Sequence, residues 1–357
     1  MRPAELTREA WRNVLTGTAR AGLLAFALVV VVVGAGVLDL LQVRAITTRA
    51  DEFRASGADV LVLDAAGHVD PVRCELLAGQ PGIEAAGAMR AAPVRRLAPL
   101  PQDAIPAFEV TPGLPALLAP SDPPRGTGVV LSSALATTLG TETGRPLLTD
   151  AGATTIAGVY EYPDDGRRYG YSYALLDPVT PSGAFDSCWI RQWPANGAAT
   201  TLLMTALTAG ADDPSLAPPQ ISQLNPTLGI TYDATSAFRE RGTRWAPLGA
   251  FALAAAVGWL ATWLRRLELA TALHLGQSRP AQIVGLWLET AAWIAPSLAA
   301  TLLTAAVAAA RAPAGDLRLV VLLAALPAAA AAIGALAGVT LAASTARQRL
   351  WTLVKER

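Results

Sequence analysis

Four long apolar runs constrain what this chain can fold into. An apolar helix needs about 20 residues to cross a bilayer, and each run is about that long. With 52% hydrophobic and 16% charged residues, the 357-residue chain also carries less charge than a soluble domain of its length. The sequence therefore predicts an α-helical membrane protein with four transmembrane helices, at residues 21–44, 244–264, 283–310 and 317–343.

A large polar region lies between the first two runs. Residues 45–243 are enough for one or two small α/β domains. Within this region, residues 59–63 (Asp-Val-Leu-Val-Leu) predict a strand, and Asp70 followed by Pro71 predicts the start of a helix. The proline-rich stretch 92–125 predicts irregular chain with short extended pieces. We expect a large α/β domain inserted between transmembrane helices 1 and 2.

Positive charge predicts how the chain lies in its membrane. Basic residues are frequent in an amphipathic N-terminal helix (1–20), in the loop 265–282 and in the tail 344–357. Positively charged loops stay in the cytoplasm, so both termini are expected to be cytoplasmic and the large domain extracytoplasmic. A cleaved signal peptide is not expected, since the first run is too long and no Ala-x-Ala-like site follows it. The single lysine among many arginines is typical of a GC-rich bacterial coding sequence, so we expect the cytoplasmic membrane of a bacterium.

The loop 265–282 connects the second and third apolar runs. Leucines recur in it at near-helical spacing, which predicts a short amphipathic helix: Leu267, Leu269, Leu273 and Leu275. Gly276 is expected to end this helix, and Ser278 to cap the one that follows. A short helix between two membrane spans is a surface against which a soluble partner can push.

Four side chains of this short helix are candidates for the partner contact. Leu269 and Leu273 offer a small apolar face that can insert into a groove. Arg266 and Glu268 can fix the register of the contact by charge pairing at its rim.

Several activities are excluded by the residues that the chain lacks. A P-loop needs a lysine after a glycine-rich loop, but Lys355, the one lysine, lies in Val-Lys-Glu-Arg. The two histidines, His68 and His274, are predicted on opposite sides of the membrane, and no cluster has metal-ligand spacing. A formal net charge of zero argues against nucleic acid as a partner. We therefore expect no catalytic residue, no metal site and no cofactor on this chain.

Five further residues have more than one interpretation. Cys74 and Cys188 both fall in the polar domain and are either a disulfide or two buried thiols. Glu289 lies inside the third apolar run, where a charge is costly. It either faces the helix bundle or an interface, or sits shallow enough to reach cytoplasmic water. Gly334 and Gly338 form a small-xxx-small packing face, which also arises easily in an alanine-rich helix.

The order of motifs around the loop 265–282 resembles that of a known family. The residues that carry this resemblance are Arg265-Arg266-Leu-Glu268-Leu269-Ala270, Leu275-Gly276-Gln277-Ser278, Gln282-Ile283 and Glu289. The N-terminal Ala10-Trp-Arg-Asn13 and three stretches of the polar region, at 57–62, 76–84 and 155–159, add to it. The chain resembles the FtsX/MacB-type permeases of ABC transporters, also called type VII or mechanotransmission systems. It departs from them at Leu273-His274, where the family often has Arg-Ala, and in the tail 344–349.

This resemblance implies a function, partners and a role for the loop. It implies a permease that forms a dimer with a second copy or a paralogue, surrounded by membrane lipid. The dimer would engage a separate cytoplasmic ABC ATPase that binds ATP and magnesium. The helix at 265–278 would then be the coupling helix, and the external domain would be MacB-like.

Three functions remain as alternatives at this point. The leading hypothesis is an exporter subunit for peptides, antibiotics or lipid-linked cargo. A second is an FtsX-like signalling subunit that regulates an extracytoplasmic cell-wall hydrolase, with an extracytoplasmic protein as partner. A third is a membrane-anchored binding protein without an ATPase, against which the coupling-type helix argues.

Overall fold

The structure of the protein is a computed structural model. It describes residues 3–17, 20–118, 124, 126–195, 197–211, 217–311 and 317–345. The chain divides into two compact units, one of residues 1–46 with 235–357 and the other of residues 47–234. The second unit is thus shorter at both ends than the predicted domain, 45–243. Most of the predicted tail, 344–357, lies outside the described residues.

The described part of the first unit is helical, and the second unit contains short helices beside its sheet. In chain order they are α1 (Pro3–Leu15), α2 (Ala21–Ala55), α3 (Pro71–Leu76), α4 (Gly113–Leu118), α5 (Ser133–Leu139), α6 (Ala198–Met204), α7 (Ala234–Glu240), α8 (Ala246–Leu264), α9 (Arg266–His274), α10 (Arg279–Ala309) and α11 (Leu317–Thr345). A 3₁₀ turn, Gly242–Trp245, leads into α8.

Four of these helices are long and apolar enough to cross a membrane: α2, α8 with its preceding turn, α10 and α11. This is the pattern of a multi-pass membrane protein. Helix α2 continues beyond the predicted span, 21–44, without a break to Ala55, and so contributes to both units. Its 35 residues span about 50 Å, which is more than the hydrocarbon core requires.

Small residues hold α8 and α11 together inside the first unit. A Cβ atom on Gly334 would lie 2.2 Å from the carbonyl oxygen of Phe251, and one on Gly338 would lie 2.0 Å from that of Ala255. On the facing helix, a Cβ on Gly258 would meet the Ala335 carbonyl at 2.5 Å. The small-xxx-small face of α11 is therefore used within the chain, to bring two helix backbones into contact.

The second unit is built on a sheet. Its nine described strands are β1 (Val60–Val69), β2 (Ile83–Leu97), β3 (Leu100–Val110), β4 (Val129–Ser132), β5 (Pro146–Thr149), β6 (Gly152–Tyr160), β7 (Leu175–Pro178), β8 (Phe185–Gln192) and β9 (Gln220–Gln223). They follow the order β3-β7-β4-β6-β5-β2-β8-β1-β9, and β3 also pairs with β2. Six strands therefore close into a ring, and β8, β1 and β9 extend the sheet outward from β2.

Alternating side chains of β1 and β8 serve two separate cores. Val60, Val62 and Trp189 point into one core. Leu63 and Cys188 point into the other, where they meet helices α3 and α6. This alternation follows from the two-residue period of a strand. Cys74 of α3 and Cys188 of β8 are joined by a disulfide with Cα atoms 5.8 Å apart, so of the two alternatives left open the structure has the bridge.

The prediction of irregular chain at 92–125 is wrong for most of that stretch. Its first half belongs to β2 and β3, which form a long antiparallel hairpin. Proline has no N–H to donate to a strand ladder, which is why this stretch does not read as sheet. Pro93 and Pro106 are accommodated where the register shifts, between the pairs Ala92↔Ala107 and Arg95↔Ile105.

Candidate functional site: the loop between α8 and α10

Helix α9 fills the first half of the loop that joins α8 to α10. It begins directly after α8, at Arg266, and ends at His274. Gly276 follows with φ of +92°, a backbone conformation that side chains other than that of glycine rarely adopt. Ser278 occupies the N-cap position of α10, but its side chain makes no capping hydrogen bond.

One leucine of α9 holds the helix against the bundle. Leu269 is 8% exposed and packs with Leu286 of α10 and Val339 of α11. The prediction that Leu269 belongs to an apolar face offered to a partner is therefore wrong. Packing against two neighbouring helices of the same chain removes the Leu269 side chain from water, which is more favourable than leaving it exposed.

Other predicted residues of α9 are more accessible. The side chain of Glu268 is 56% exposed and Leu275 is 89% exposed, whereas Leu273 is half-buried. The Arg266 guanidinium lies over the ring of Trp263, 4.4 Å from its centroid. Glu268 and, just beyond the end of α9, Leu275 are thus the more exposed side chains of this segment.

Glu289 of α10 is the centre of a polar cluster. Its Oε2 accepts a hydrogen bond from Arg265 at 2.5 Å, and its Oε1 accepts one from Asn13 of α1 at 2.7 Å. Arg265 also donates from Nε to Glu268 at 3.0 Å. Of the alternatives left open for Glu289, the structure has the one in which it faces the bundle, where the residue is buried.

The Arg265–Glu289 pair is largely removed from solvent. The two side chains are 18% and 9% exposed. Such a pair offsets its desolvation only when the hydrogen bonds around it are complete. Both carboxylate oxygens of Glu289 have a donor here, which satisfies that condition.

A further hydrogen bond ties the end of the loop to α9. The Gln282 side chain, on the first turn of α10, donates to the backbone carbonyl of Leu269 at 2.8 Å. Gln282 is itself buried. Helix α9 is therefore fastened by an apolar contact, an ion pair and this side-chain bond.

Between α1, α9 and α10 lies an open groove of about 220 Å³. Its polar lining consists of Glu9, Asn13, Arg265, Glu268, Gln277, Gln282 and Glu289. Three carboxylates face one guanidinium in this groove, so its net charge is negative. Among the described residues of the whole chain, no group of His, Cys, Asp or Glu is placed to hold a metal ion.

Sequence reasoning selected Glu289 but missed the residues that bind it. Arg265 and Asn13 were part of the family motifs, yet nothing in their local spacing points to Glu289, which is 276 residues from Asn13. One signal was available. A carboxylate in an apolar helix needs a partner, and Arg265 is the cation nearest the end of the preceding span.

Part of this chain is similar to solved domains of transporters. The crystal structure of the periplasmic region of MacB from Actinobacillus actinomycetemcomitans is 10% identical, with a TM-score of 0.34; the match covers 49% of this chain and 94% of that one. The extracellular domain of the noncanonic ABC-type transporter YknZ from Gram-positive bacteria is 10% identical, with a TM-score of 0.30 and coverage of 46% and 100%. No protein-family model matches the chain, and no curated protein matches it significantly. At these values the likeness is a similarity only, and the function proposed below rests on the chain's own residues.

Proposed function

We propose that the chain is the permease subunit of an ABC transporter of the FtsX/MacB type. A separate cytoplasmic ATPase would bind ATP and magnesium, and α9 would receive the motion of that ATPase. A second copy or a paralogue would complete the permease. The domain between the first two spans would be extracytoplasmic and act in the export of peptides, antibiotics or lipid-linked cargo.

The observation that supports this proposal is the way α9 is fastened. A helix that only rested on the bilayer surface would need no fixed contact with the bundle. Leu269 instead packs on α10 and α11, and Arg265, at the junction of α8 and α9, binds Glu289 of α10. A push on α9 therefore displaces several helices together, because packed helices shift as units.

The N-terminal helix shares this connection. Asn13 of α1 binds the same carboxylate that Arg265 binds. Glu289 thus joins the cytoplasmic helix α1, the α8–α9 junction and α10 at one point. In the proposed function, α1 moves with the coupling helix.

The partner surface of α9 follows from which side chains remain exposed. Leu275 is 89% exposed and provides an apolar anchor, and the Glu268 side chain, 56% exposed, provides a charge. Interfaces of this kind place an apolar group at the centre and charges at the rim. Leu275 takes the place that the sequence had assigned to Leu269.

The test is retention of the ATPase by a Leu275→Asp variant. The tagged full chain is purified from its native membranes, the ATPase bound to the wild type is identified by mass spectrometry, and its ATP turnover is measured. Asp at this position would bury an unpaired charge in the contact, so we expect at least tenfold less ATPase on the variant. Leu148→Asp, which changes a 60% exposed leucine in the other unit, is the matched control and should retain the wild-type amount.

Two results would contradict the proposal. One is an L275D chain that carries the ATPase at the wild-type level and stimulates its turnover equally. The other is a wild-type chain that carries no ATPase at all. In that case a membrane-anchored binding protein would be the better explanation.

A further inference from the structure

A cavity of about 220 Å³ lies in the second unit, at the end of α2. Its charged lining is formed by Asp51, Arg54, Arg167 and Arg191. Its remaining lining is apolar or backbone: Ala55, Gly57, Leu117, Leu118 and Leu224. Three guanidinium groups thus share a small cavity with three leucines, an arrangement that the proposed transport function does not use.

Each arginine is held in place from the side by one acceptor or more. Arg54 donates to Glu84 at 2.6 Å. Arg167 donates to the carbonyl of Ala55 at 2.6 Å and to Asp165 at 3.2 Å. These bonds fix the two side chains before any ligand arrives, which lowers the entropy cost of binding.

Arg191 is the most buried of the three. It donates to Asp59 at 3.3 Å and to the carbonyl of Leu117 at 2.8 Å. Its side chain is 10% exposed and that of Asp59 is fully buried. Burial raises the pKa of Asp59 to about 6, although Arg191 and Arg54 act to lower it.

Three polar atoms of these side chains make no hydrogen bond. The Nε atoms of Arg54 and Arg191 are buried and have no hydrogen-bond partner among the described residues, and Oδ1 of Asp59 has none either. The Nε atom of Arg54 lies 3.9 Å from Oδ2 of Asp59, to which Arg191 also donates, so Asp59 lies between these two arginines. In the cavity itself three guanidinium groups face one lining carboxylate, Asp51, and guanidinium groups suit an oxyanion such as a carboxylate.

We propose that this cavity binds a carboxylate that carries a small aliphatic group, such as the C-terminal end of a short peptide. The carboxylate would bind the guanidinium groups that line the cavity, and the aliphatic group would lie against Leu117, Leu118 and Leu224. Asp51 is the one carboxylate among the described lining residues, and it can accept an N–H from the ligand. Water in the cavity could accept hydrogen bonds from the arginines, but it would gain no contact energy from the leucines, since bound water needs polar partners. The site does not depend on the contact of α9 with an ATPase.

The probe pair for the test is N-acetyl-L-leucine and N-acetyl-L-leucinamide. The two molecules share size and aliphatic side chain and differ in the charge of the head group. Binding to the full chain in nanodiscs is measured by isothermal titration calorimetry. We expect the acid to bind at least about tenfold more tightly than the amide, because hydrogen bonds to a charged group contribute more.

Arg54→Gln removes one lining guanidinium at a position where the domain can tolerate it, since Arg54 and Glu84 are both more than a third exposed. This variant should bind the acid about tenfold more weakly and the amide as before. Arg90→Gln is the matched control. Arg90 forms an ion pair with Glu109 and lies over the Phe185 ring, as Arg54 pairs with Glu84 and lies over the Trp193 ring, but Arg90 does not line the cavity. Equal binding of acid and amide by the wild type, or no binding of either, would mean a water-filled cavity and overturn the proposal. So would an R54Q chain that binds the acid as the wild type does.

Discussion

Glu289 is a carboxylate on a membrane-spanning helix, and each of its oxygens is bound by a different element. The donors are Arg265 at the end of α8 and Asn13 on α1. At the scale of single residues, a carboxylate in this position is tolerated only because the contacts around it are complete. Substitution of one member of the cluster should therefore cost more than the pair itself contributes.

The energetic coupling between Glu289 and Arg265 can be measured with a double-mutant cycle. We expect Glu289→Gln and Arg265→Gln each to lower the free energy of unfolding by about 3 kcal/mol, because each removes one partner of a largely buried ion pair. The double variant should be less destabilised than the sum of the two. Thermal unfolding of the full chain, followed by circular dichroism, provides the measurement. Glu268→Gln is the control, since its side chain is 56% exposed and should cost less than about 1 kcal/mol. Equal effects of E289Q and E268Q would contradict this account of the cluster.

A second buried carboxylate, Asp59, makes the stability of the domain depend on pH. Its pKa is raised from 3.8 to about 6, first by burial, while the facing charges of Arg191 and Arg54 lower it and Glu84 raises it. The folded domain therefore binds more protons than the unfolded chain between about pH 4 and pH 6. The stabilisation is present in full below pH 4 and is lost as the pH rises through 6.

Asp59→Asn should remove this contribution. From pH 4.5 to 7, the free energy of unfolding of the wild type should fall relative to the variant by about 2 kcal/mol. Urea denaturation of the full chain at both pH values measures the difference, and other titrating groups cancel because both chains have them. A variant that loses stability with pH as steeply as the wild type would show that Asp59 does not titrate in this range.

At the scale of elements, the contact of α8 with α11 depends on glycine. Helices in a membrane gain nothing from excluding water, so close backbone packing has to hold them together. Gly334 and Gly338 of α11 face the carbonyl groups of Phe251 and Ala255, and no side chain fits between them.

Gly338→Ala should force the two helices apart, since its Cβ would lie 2.0 Å from the Ala255 carbonyl oxygen. We expect a loss of about 2 kcal/mol or more in thermal unfolding experiments. Gly249→Ala on α8 is the control because a Cβ there meets nothing within 4 Å, so this change should be neutral or stabilise the helix. Indistinguishable unfolding temperatures for the two variants would argue against close packing at Gly338.

At the scale of the whole molecule, the four spanning helices and the proposed function require a defined orientation. The described residues contain four candidate spans, and the positive charge of the loop 265–282 predicts that this loop lies in the cytoplasm. The disulfide between Cys74 and Cys188 agrees with the predicted extracytoplasmic position of the domain, since disulfides persist in oxidising compartments.

Cysteine labelling tests this orientation in intact cells. Both native cysteines are in the disulfide, so an engineered cysteine is the reactive one. We expect a membrane-impermeant maleimide to label Tyr169→Cys, at a position that is 97% exposed in the domain, without permeabilisation. His274→Cys, exposed at the end of α9, should be labelled only after permeabilisation. Labelling of H274C in intact cells would reverse the proposed topology.

Features that depend on neighbouring residues in the chain could be predicted from the sequence. The four apolar runs predicted the helices that are long enough to span a membrane, because the length of an apolar run can be read directly from the sequence. The positions of α9 and of Gly276 after it also followed from local spacing and from the conformational freedom of glycine. Asp70 likewise caps α3 through its side chain.

Features that depend on distant residues were decided by the tertiary structure alone. Helical spacing placed Leu269 and Leu273 on one face of α9. It could not show which of the two packs on α10 and α11, because that depends on how the helices meet. The hairpin of β2 and β3 forms despite its prolines because the register shifts at those positions. The partners of Glu289 and the arginine cavity were equally absent from any local pattern. The local sequence determines which segments are apolar enough to be buried or to enter a membrane. The pairing of buried charges and the close packing of helices depend on contacts between residues far apart in the chain.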